Sequence, residues 1–320
     1  MSTASDDRSA EGRGSLNRPR TDISRIGFIG VGNMGWPMAA NLVKAGFAVT
    51  VSDAVPGRAD KFVAEIGGSA AAGPADAARG QEVVITILPT SKQVAEVAAQ
   101  IAPALAAGSV LIDMTSGAPG RTREIAADLA PRQVAVVDCP VSGGVPRAKS
   151  GELAIMAGGE DAVLDRVDPV LRAMGTSIHR CGGVGAGQAM KALNNLVSTG
   201  GFLIGIEALL IGQRFGLDTA LMVDVLNAST GMNNSTQKKF KQYVLSRRFD
   251  SGFGLDLMVK DLSIALEVGR ETGTPTPFSA LCRELSASAA ALLGPGQDHT
   301  ALAQLSEKLA GESLGGGNRG

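Results

Sequence analysis

The chain has 320 residues, of which 44% are apolar and 19% charged, and its formal net charge is −1. At roughly 100–200 residues per domain, this length favours two domains with enough apolar material for packed cores. The balanced charge excludes a general attraction to nucleic acid or to an anionic membrane, so we expect neither as a partner. Three widely spaced cysteines without a CxxC pair argue against a disulfide framework or a metal site, and they predict a reducing, cytoplasmic compartment.

The N-terminal half begins with residues 1–22, which are rich in Ser, Asp, Arg and Gly and predict a disordered tail rather than a signal peptide. Five apolar runs of strand length follow, separated by helical segments such as 38–45 and 94–105. Runs of this kind are typical of strands buried on both faces, and their spacing indicates βαβ crossovers. We therefore predict an α/β fold whose residues 23–183 form a Rossmann-type, doubly wound parallel sheet. The predicted strands are 26–30, 48–52, 83–88, 110–114 and 134–138.

A glycine motif, GFIGVGNMG, joins the first predicted strand to the first predicted helix. Gly30, Gly32 and Gly35 match the G-x-G-x-x-G pattern of dinucleotide-binding turns. The first glycine allows the tight turn, the second lets the backbone approach a pyrophosphate, and the third lets helix and strand pack closely. We expect the whole turn, including Asn33 and Met34, to bind a dinucleotide at the helix N-terminus.

Asp53 ends the second predicted strand, where a carboxylate can accept hydrogen bonds from the adenosine ribose hydroxyls. The same charge would repel a 2′-phosphate, so the sequence favours NAD over NADP. Arg58 nearby leaves NADP open, because its side chain could pair with that phosphate.

The segment DCPVSGG follows the strand at 134–138 and offers consecutive backbone N–H groups at Ser142, Gly143 and Gly144. Such a run can form a concave site for an anion such as a carboxylate. A plain turn is the slightly favoured interpretation from the local sequence alone, and both interpretations stay open at this point.

Helical periodicity dominates the second half, and we place an all-helical domain at 184–312 followed by a frayed tail at 313–320. The apolar stretch 192–212 contains several polar residues, which indicates a buried helix and not a membrane span. The lysines at 238, 239 and 241 are typical of a solvated helix face. The predicted helices are 189–213, 219–227, 256–272, 278–293 and 300–309.

Lys191 and Asn195 are four residues apart on one predicted helix and so share a face. Desolvation and the helix dipole should lower the pKa of such a lysine, which suits proton exchange with a substrate hydroxyl. Further along, Lys260 and Asp261 lie within an apolar helix. They form an intrahelical ion pair or exposed charges, or Lys260 reaches across a cleft to a cofactor.

Six segments appear in an order that resembles the beta-hydroxyacid dehydrogenase family, the group of 3-hydroxyisobutyrate dehydrogenase-like enzymes. The resemblance covers residues 24 to about 310. The segments are GFIGVGNMGWPMAANLVKAG, ILPTSKQV, DMTSGAPG, DCPVSGGVPRAKSGELAIMAGG, GAGQAMKALNN and FGLDLMVKDLSIA.

The resemblance implies hydride transfer between NAD(P) and a small beta-hydroxy acid or its semialdehyde. It makes Lys191 the general acid/base and Asn195 the residue that orients the substrate. It also implies a long interdomain helix at about 186–213 and a homodimer or homotetramer joined through the helical domains. The remaining implied contacts are Ser142, Gly143, Gly144 and Phe253 for substrate, and Leu88, Pro89, Thr115 and Lys260 for the cofactor.

The segment 229–240, STGMNNSTQKKF, does not match the 3-hydroxyisobutyrate pattern, which leaves the substrate open. We expect Asn233 in this segment to contact the distal end of the substrate. Three other functions remain. One is an imine reductase, although that family usually lacks the lysine found at Lys191. The others are a 6-phosphogluconate dehydrogenase, for which the chain looks too short, and a non-catalytic interaction module on the same fold.

Overall fold

The computed structural model of the chain describes residues 22–315. The predicted tail at 1–22 therefore lies outside the described residues except for Asp22, whose carboxylate accepts a hydrogen bond from Arg166. Of the tail predicted to be frayed, 316–320 also lie outside. The prediction needs correction for 313–315, because Leu314 is fully buried and its backbone N–H donates to the Glu307 carboxylate.

One sheet of nine strands organises the N-terminal part of the described chain. Its first six strands run parallel in the order β3-β2-β1-β4-β5-β6. The strands are β1 (Arg25–Ile29), β2 (Ala48–Ser52), β3 (Ser69–Ala70), β4 (Val83–Thr86), β5 (Val110–Asp113), β6 (Ala135–Asp138), β7 (Val141–Ser142), β8 (Leu153–Gly158) and β9 (Gly175–Gly182).

The far edge of the sheet departs from the predicted parallel arrangement. Strands β6 and β7 both pair antiparallel with β8, whereas β9 pairs parallel to β8 along its opposite edge. The five predicted strands correspond to β1, β2, β4, β5 and β6, and the others were missed. Two of the missed strands have only two residues each, and β9 is largely polar and partly exposed, so no apolar run marked it.

Alternate residues of the parallel strands face two different helical layers, as a doubly wound sheet requires. In β1, Ile26 and Phe28 join one core while Ile29 joins the other. The first layer contains α1 and α7, and the second contains α4 and α5. The helices of this part are α1 (Gly35–Lys44), α2 (Arg58–Ile66), α3 (Pro74–Ala78), α4 (Ser91–Ile101), α5 (Pro119–Leu129), α6 (Gly144–Ser150) and α7 (Asp161–Arg172).

The C-terminal part is helical and packs around one long central helix, α8. The predicted boundary at 183/184 lies between the end of β9 and the start of α8. A separate apolar core surrounds α8, built on residues such as Phe202, Ile206 and Phe240. The helices are α8 (Ala186–Phe215), α9 (Thr219–Asn227), α10 (Asn234–Lys238), α11 (Leu255–Glu271), α12 (Pro277–Leu293) and α13 (Ala303–Ala310), with a π-helical turn at Phe240–Leu245.

Among the described residues, α8 is the one helix long and apolar enough to cross a membrane by length and composition. Fifty-six per cent of its most apolar window is buried inside the structure, and the central helix of a packed core meets the same criteria. Its opposite face is exposed and carries large apolar side chains, which bear on assembly. These are Met190, Val197, Ile204, Ile211 and Phe215.

Candidate active site

The glycine turn between β1 and α1 has the shape that a dinucleotide requires. Gly30 has a φ of +100°, and a Cβ there would lie 2.3 Å from the Ile87 carbonyl oxygen. A Cβ on Gly35 would lie 1.9 Å from the Gly30 carbonyl oxygen, so this glycine lets α1 approach β1. A Cβ on Gly32, by contrast, would lie 4.0 Å from its nearest neighbour, an Arg58 nitrogen, so a ligand can approach the backbone here.

The N-terminus of α1 points unpaired donors at this open space. In the described part of the chain, the backbone N–H groups of Asn33, Met34 and Gly35 form no hydrogen bond, and no side chain caps the helix. Free N–H groups at a helix N-terminus bind phosphate oxygens, assisted by the helix dipole. The turn therefore fits the pyrophosphate of a dinucleotide.

Asp53 lies at the end of β2 with its side chain mostly buried. Its Oδ2 accepts a hydrogen bond from the Val31 N–H at 2.9 Å, and its Oδ1 accepts from the Val55 N–H at 2.8 Å. Arg58 donates to the same Oδ1 at 3.1 Å and is 37% exposed. The structure thus places the two residues that bear on cofactor choice side by side, next to the glycine turn.

The loops after β4 and β5 meet at the same edge of the sheet. The Leu88 N–H donates to Thr115 Oγ1 at 3.0 Å, and a Leu88 methyl lies 3.0 Å from the Cβ position on Gly30. Pro89 follows in the first of these loops. Ligands of doubly wound folds bind at the carboxyl ends of the strands, so these three residues lie beside the expected position of a cofactor.

Lys191 and Asn195 are both buried on one face of α8, each 8% exposed. Burial lowers the pKa of Lys191; the negative charge of Asp261 raises it, and the positive charge of Lys260 lowers it further. The predicted direction of this shift is confirmed, with desolvation as its main cause. Within residues 22–315 the Lys191 ammonium has neither a hydrogen bond nor an ion pair.

Asp261 joins this helix face to the loop after β5, a role that the sequence analysis missed. Its Oδ2 accepts a hydrogen bond from the Asn195 amide at 2.6 Å, and its Oδ1 accepts one from the Ser116 hydroxyl at 2.8 Å. The side chain is 1% exposed. A buried carboxylate with two such donors fixes the orientation of the Asn195 amide.

Lys260 forms the predicted ion pair, and its contact with a cofactor stays a prediction. Its ammonium lies 3.4 Å from Asp261 Oδ1 and donates a hydrogen bond to the Ser116 carbonyl oxygen at 2.5 Å. The side chain thus crosses from α11 to the loop that contains Thr115.

The start of α8 lies directly on the ends of β6 and β8. A Cβ on Gly187 would lie 2.2 Å from the Met156 carbonyl oxygen. The backbone N–H groups of Gly185 and Gln188 donate to the Asp138 carboxylate at 2.6 and 2.7 Å. This contact brings the Lys191 end of α8 next to the segment that follows β6.

That segment holds Ser142, Gly143 and Gly144, which form the end of β7 and the beginning of α6. Gly143 and Gly144 have φ values of +132° and +66°, and both are exposed. Consecutive glycines in such conformations can turn their N–H groups toward one anion. The loop is therefore available to a substrate carboxylate beside the start of α8.

Two buried carboxylates beneath the site were not identified as site residues from the sequence. Asp113 and Asp138 end neighbouring strands and pair in register, and burial raises the pKa of each to about 6. Gln188 donates to Asp113 at 3.3 Å and accepts from the Gly117 N–H at 2.7 Å. The sequence signal for this link between the sheet and α8 was an aspartate at the end of a predicted apolar strand.

The two remaining predicted substrate residues have different surroundings. Phe253 is half-buried and packs edge-on against His299, with ring centroids 5.7 Å apart. Asn233 is instead the N-cap of α10, where its side-chain oxygen accepts hydrogen bonds from the Ser235 and Thr236 N–H groups. Its amide donates to the Gly201 carbonyl. These contacts explain Asn233 as a structural residue, so we leave it out of the substrate site.

Comparison with known proteins agrees with this geometry. Residues 25–183 match the model of the NAD binding domain of 6-phosphogluconate dehydrogenase. Residues 185–306 match the model described as the NAD-binding domain of NADP-dependent 3-hydroxyisobutyrate dehydrogenase.

Individual relatives match over almost the whole chain. The 2-(hydroxymethyl)glutarate dehydrogenase of Eubacterium barkeri is 34% identical over 92% of this chain and 98% of its own length. The NAD-dependent L-serine dehydrogenase of Pseudomonas aeruginosa is 35% identical over 82% and 91%. The solved structure of Mycobacterium tuberculosis 3-hydroxyisobutyrate dehydrogenase with L-serine has a TM-score of 0.82 at 32% identity and covers 88% of this chain and 98% of its own. The predicted resemblance is confirmed, and the chain belongs to the beta-hydroxyacid dehydrogenase family.

Proposed function

We propose that this protein oxidises a small beta-hydroxy acid to its semialdehyde, or reduces the semialdehyde, with a nicotinamide dinucleotide as the hydride carrier. One observation carries the proposal. Lys191 and Asn195 are buried on one face of α8, and Asp261 ties that face to the loop beside the dinucleotide site. Hydroxy acid and nicotinamide would therefore meet between α8 and the ends of the parallel strands.

In this proposal each residue has a separate task. The N–H groups at Ser142, Gly143 and Gly144 hold the substrate carboxylate, and the Asn195 amide positions the reacting oxygen. When bound, the nicotinamide accepts the hydride or returns it. Lys191 takes the hydroxyl proton during oxidation and gives it back during reduction.

The environment of Lys191 supports this role. Burial lowers the pKa of its ammonium, so the neutral amine that accepts a proton forms more readily. Asp261 opposes that shift and also fixes the Asn195 amide. Phe253 borders the same space from the loop before α11.

We propose NAD as the preferred cofactor, with NADP as the other possibility. Asp53 presents a carboxylate where the adenosine ribose would lie, which favours hydroxyls over a 2′-phosphate. Arg58 is already paired with Asp53, so its charge is partly neutralised. Asn33, Met34, Leu88, Pro89, Thr115 and Lys260 complete the proposed cofactor site.

We also propose a homo-oligomer, a dimer or tetramer, in the cytoplasm. The exposed apolar face of α8 supports assembly, because Val197, Ile211 and Phe215 are 76%, 70% and 84% exposed and form one stripe with Met190 and Ile204. All three cysteines are free, which supports a reducing compartment.

The test is a spectrophotometric screen of the purified chain with NAD or NADP. The panel contains 3-hydroxyisobutyrate, serine, glycerate, 3-hydroxypropionate and 2-(hydroxymethyl)glutarate, with semialdehydes in the reverse direction. We expect one class of acid to be oxidised, with Lys191→Ala losing at least about a hundredfold in kcat, since general-base catalysis contributes about that much. Lys308→Ala, at an exposed lysine of α13, is the matched control and should keep full activity.

Two outcomes would contradict the proposal. Full turnover by Lys191→Ala would remove Lys191 from the mechanism. Dinucleotide binding without any oxidation of hydroxy acids would favour the alternatives, and reduction of a cyclic imine would then distinguish an imine reductase from an interaction module.

A further inference from the structure

Lys239 was interpreted from the sequence as part of a solvated helix face, and the structure corrects this. The side chain is half-buried directly after α10, and its ammonium donates a hydrogen bond to the Ser198 hydroxyl at 3.0 Å. Burial lowers the pKa of Lys239 to about 8, so the group is still mostly cationic at neutral pH. Its neighbour Lys238 is exposed, as predicted.

Within residues 22–315, this ammonium has no carboxylate in direct contact. Among the described residues, no carboxylate oxygen lies within 4.0 Å of the Lys239 nitrogen. Asp298 is the acidic residue whose charge acts on Lys239, and it raises its pKa. Both oxygens of Asp298 are already occupied, however, by donors from Ser251, Gly252, Phe253 and Thr300. A lysine ammonium has three donors, and Ser198 satisfies one of them.

Ser198 places Lys239 on the substrate side of α8. It lies three residues beyond Asn195 and seven beyond Lys191, which puts all three on the same helix face. At 1.5 Å per residue, Ser198 is about 4.5 Å further along the helix axis than Asn195. The charge therefore lies one turn beyond the proposed reacting centre, on the side away from the start of α8.

In the part of the chain that the structure describes, Asp298 is the charged residue that shifts the pKa of Lys239, and no second cation does. His299, whose charge would act on Lys239, is 7% exposed, and burial lowers its pKa to about 4, so it is neutral at physiological pH. Its ring packs edge-on against Phe253, the aromatic residue predicted to border the substrate. A single ammonium beside a hydroxyl matches the single charge of a carboxylate better than the nearly double charge of a phosphate.

We propose that Lys239, together with Ser198, binds a second, distal carboxylate of the substrate, so that the preferred substrate is a dicarboxylic hydroxy acid. The two carboxylates would bind at opposite ends of the site, one on Ser142, Gly143 and Gly144 and the other on Lys239. The 4.5 Å axial step corresponds to roughly three to four carbon–carbon bonds between the reacting carbon and the distal carboxylate, since each bond of about 1.5 Å advances an extended chain by about 1.25 Å. This assignment rests on the function proposed above, because it uses the same substrate site.

The test compares two acids that differ only at the distal end, 2-(hydroxymethyl)glutarate and 2-(hydroxymethyl)pentanoate. We expect the native protein to prefer the dicarboxylate, mainly through KM. In Lys239→Met the ratio of the two kcat/KM values should fall about thirtyfold, as for loss of a hydrogen bond between charged groups. Lys238→Met removes the adjacent exposed charge and should leave the ratio unchanged.

A binding measurement separates failure of this assignment from failure of the proposed function. Glutarate and butyrate lack the reacting hydroxyl, and their affinities for the protein with reduced cofactor are measured by calorimetry. Tighter binding of glutarate that is lost in Lys239→Met supports the subsite even if neither hydroxy acid is oxidised. Equal binding of glutarate and butyrate to the native protein, or an unchanged preference in Lys239→Met, overturns it.

Discussion

Gly187 offers a sharp test of how the sheet positions the catalytic helix. In Gly187→Ala the new methyl group would lie 2.2 Å from the Met156 carbonyl oxygen and 2.8 Å from the Asp138 carbonyl oxygen. Both atoms belong to the backbone, so neither can rotate away. Because ordinary van der Waals contact begins near 3.4 Å, the start of α8 has to retreat by about 1 Å.

The retreat has two measurable consequences. The hydrogen bonds from Gly185 and Gln188 to Asp138 are short and charge-assisted, and each is worth about 1.5–3 kcal/mol. Loss of both hydrogen bonds costs about 3–6 kcal/mol, and the higher helix propensity of alanine offsets about 1 kcal/mol of this loss. The free energy of unfolding should therefore fall by about 2–5 kcal/mol. Lys191 moves with the helix, and a displacement of about 1 Å at reacting groups can reduce kcat about a hundredfold.

Urea unfolding and kcat for the acid identified in the screen measure the two effects. Gly201→Ala is the matched control on the same helix, because its Cβ would make ordinary contact, 3.4 Å from the Asn233 side chain. That variant should be more stable by up to about 1 kcal/mol and keep its kcat. If Gly187→Ala kept both the native unfolding midpoint and the native kcat, the close contact between α8 and the sheet would not position the site.

Two further predictions concern pH. Asp261→Asn keeps the shape of the side chain but removes a negative charge that raises the pKa of Lys191. The acidic limb of the pH profile of kcat/KM for oxidation should therefore move to lower pH. A limb that does not move would contradict Lys191 as the base. His299 is neutral in the folded protein, with a pKa lowered from 6.5 to about 4, so its contribution to stability is present above pH 6.5 and is lost as the pH falls toward 4. The native chain should therefore lose about 2 kcal/mol relative to His299→Gln between about pH 7.5 and 5. This difference is measured by urea unfolding of the two variants. Both variants contain Asp113 and Asp138, so the contributions of these carboxyl groups, whose raised pKa values act in the opposite direction, cancel in the difference. A pH-independent difference would show that His299 is not buried in its neutral form.

Local patterns in the sequence were enough for most of the fold. Unbroken apolar runs revealed five of the parallel strands, β1, β2, β4, β5 and β6, because both of their faces are covered. The glycine turn was recognisable because only glycine tolerates the contacts at positions 30 and 35. Strand β9 was missed for the corresponding reason: its exposed, polar residues give no run. Fraying was wrongly predicted at Leu314 because a glycine-rich composition does not show which apolar side chain packs into the core.

The candidate site was only partly accessible in this way. Spacing alone placed Lys191 and Asn195 on one face of one helix, since four residues make about one turn. The carboxylate that orients Asn195 comes from Asp261, 66 residues away, and Ser116 lies 145 residues from that same carboxylate. No periodicity connects such residues, because their meeting depends on how α11 packs against α8 and the sheet.

Lys239 shows the same division. The central parallel strands, the dinucleotide turn and the helix face that carries Lys191 were predictable, because each depends on residues within a few turns or one strand of each other. Lys239, by contrast, lies half-buried on Ser198, 41 residues away, while Lys238 beside it stays in solvent, and this difference depends on tertiary packing. The sequence does not distinguish a buried lysine from an exposed one at positions 238 and 239. The packing of α8 against the segment after α10 decides which of the two is buried, and no local pattern encodes that packing.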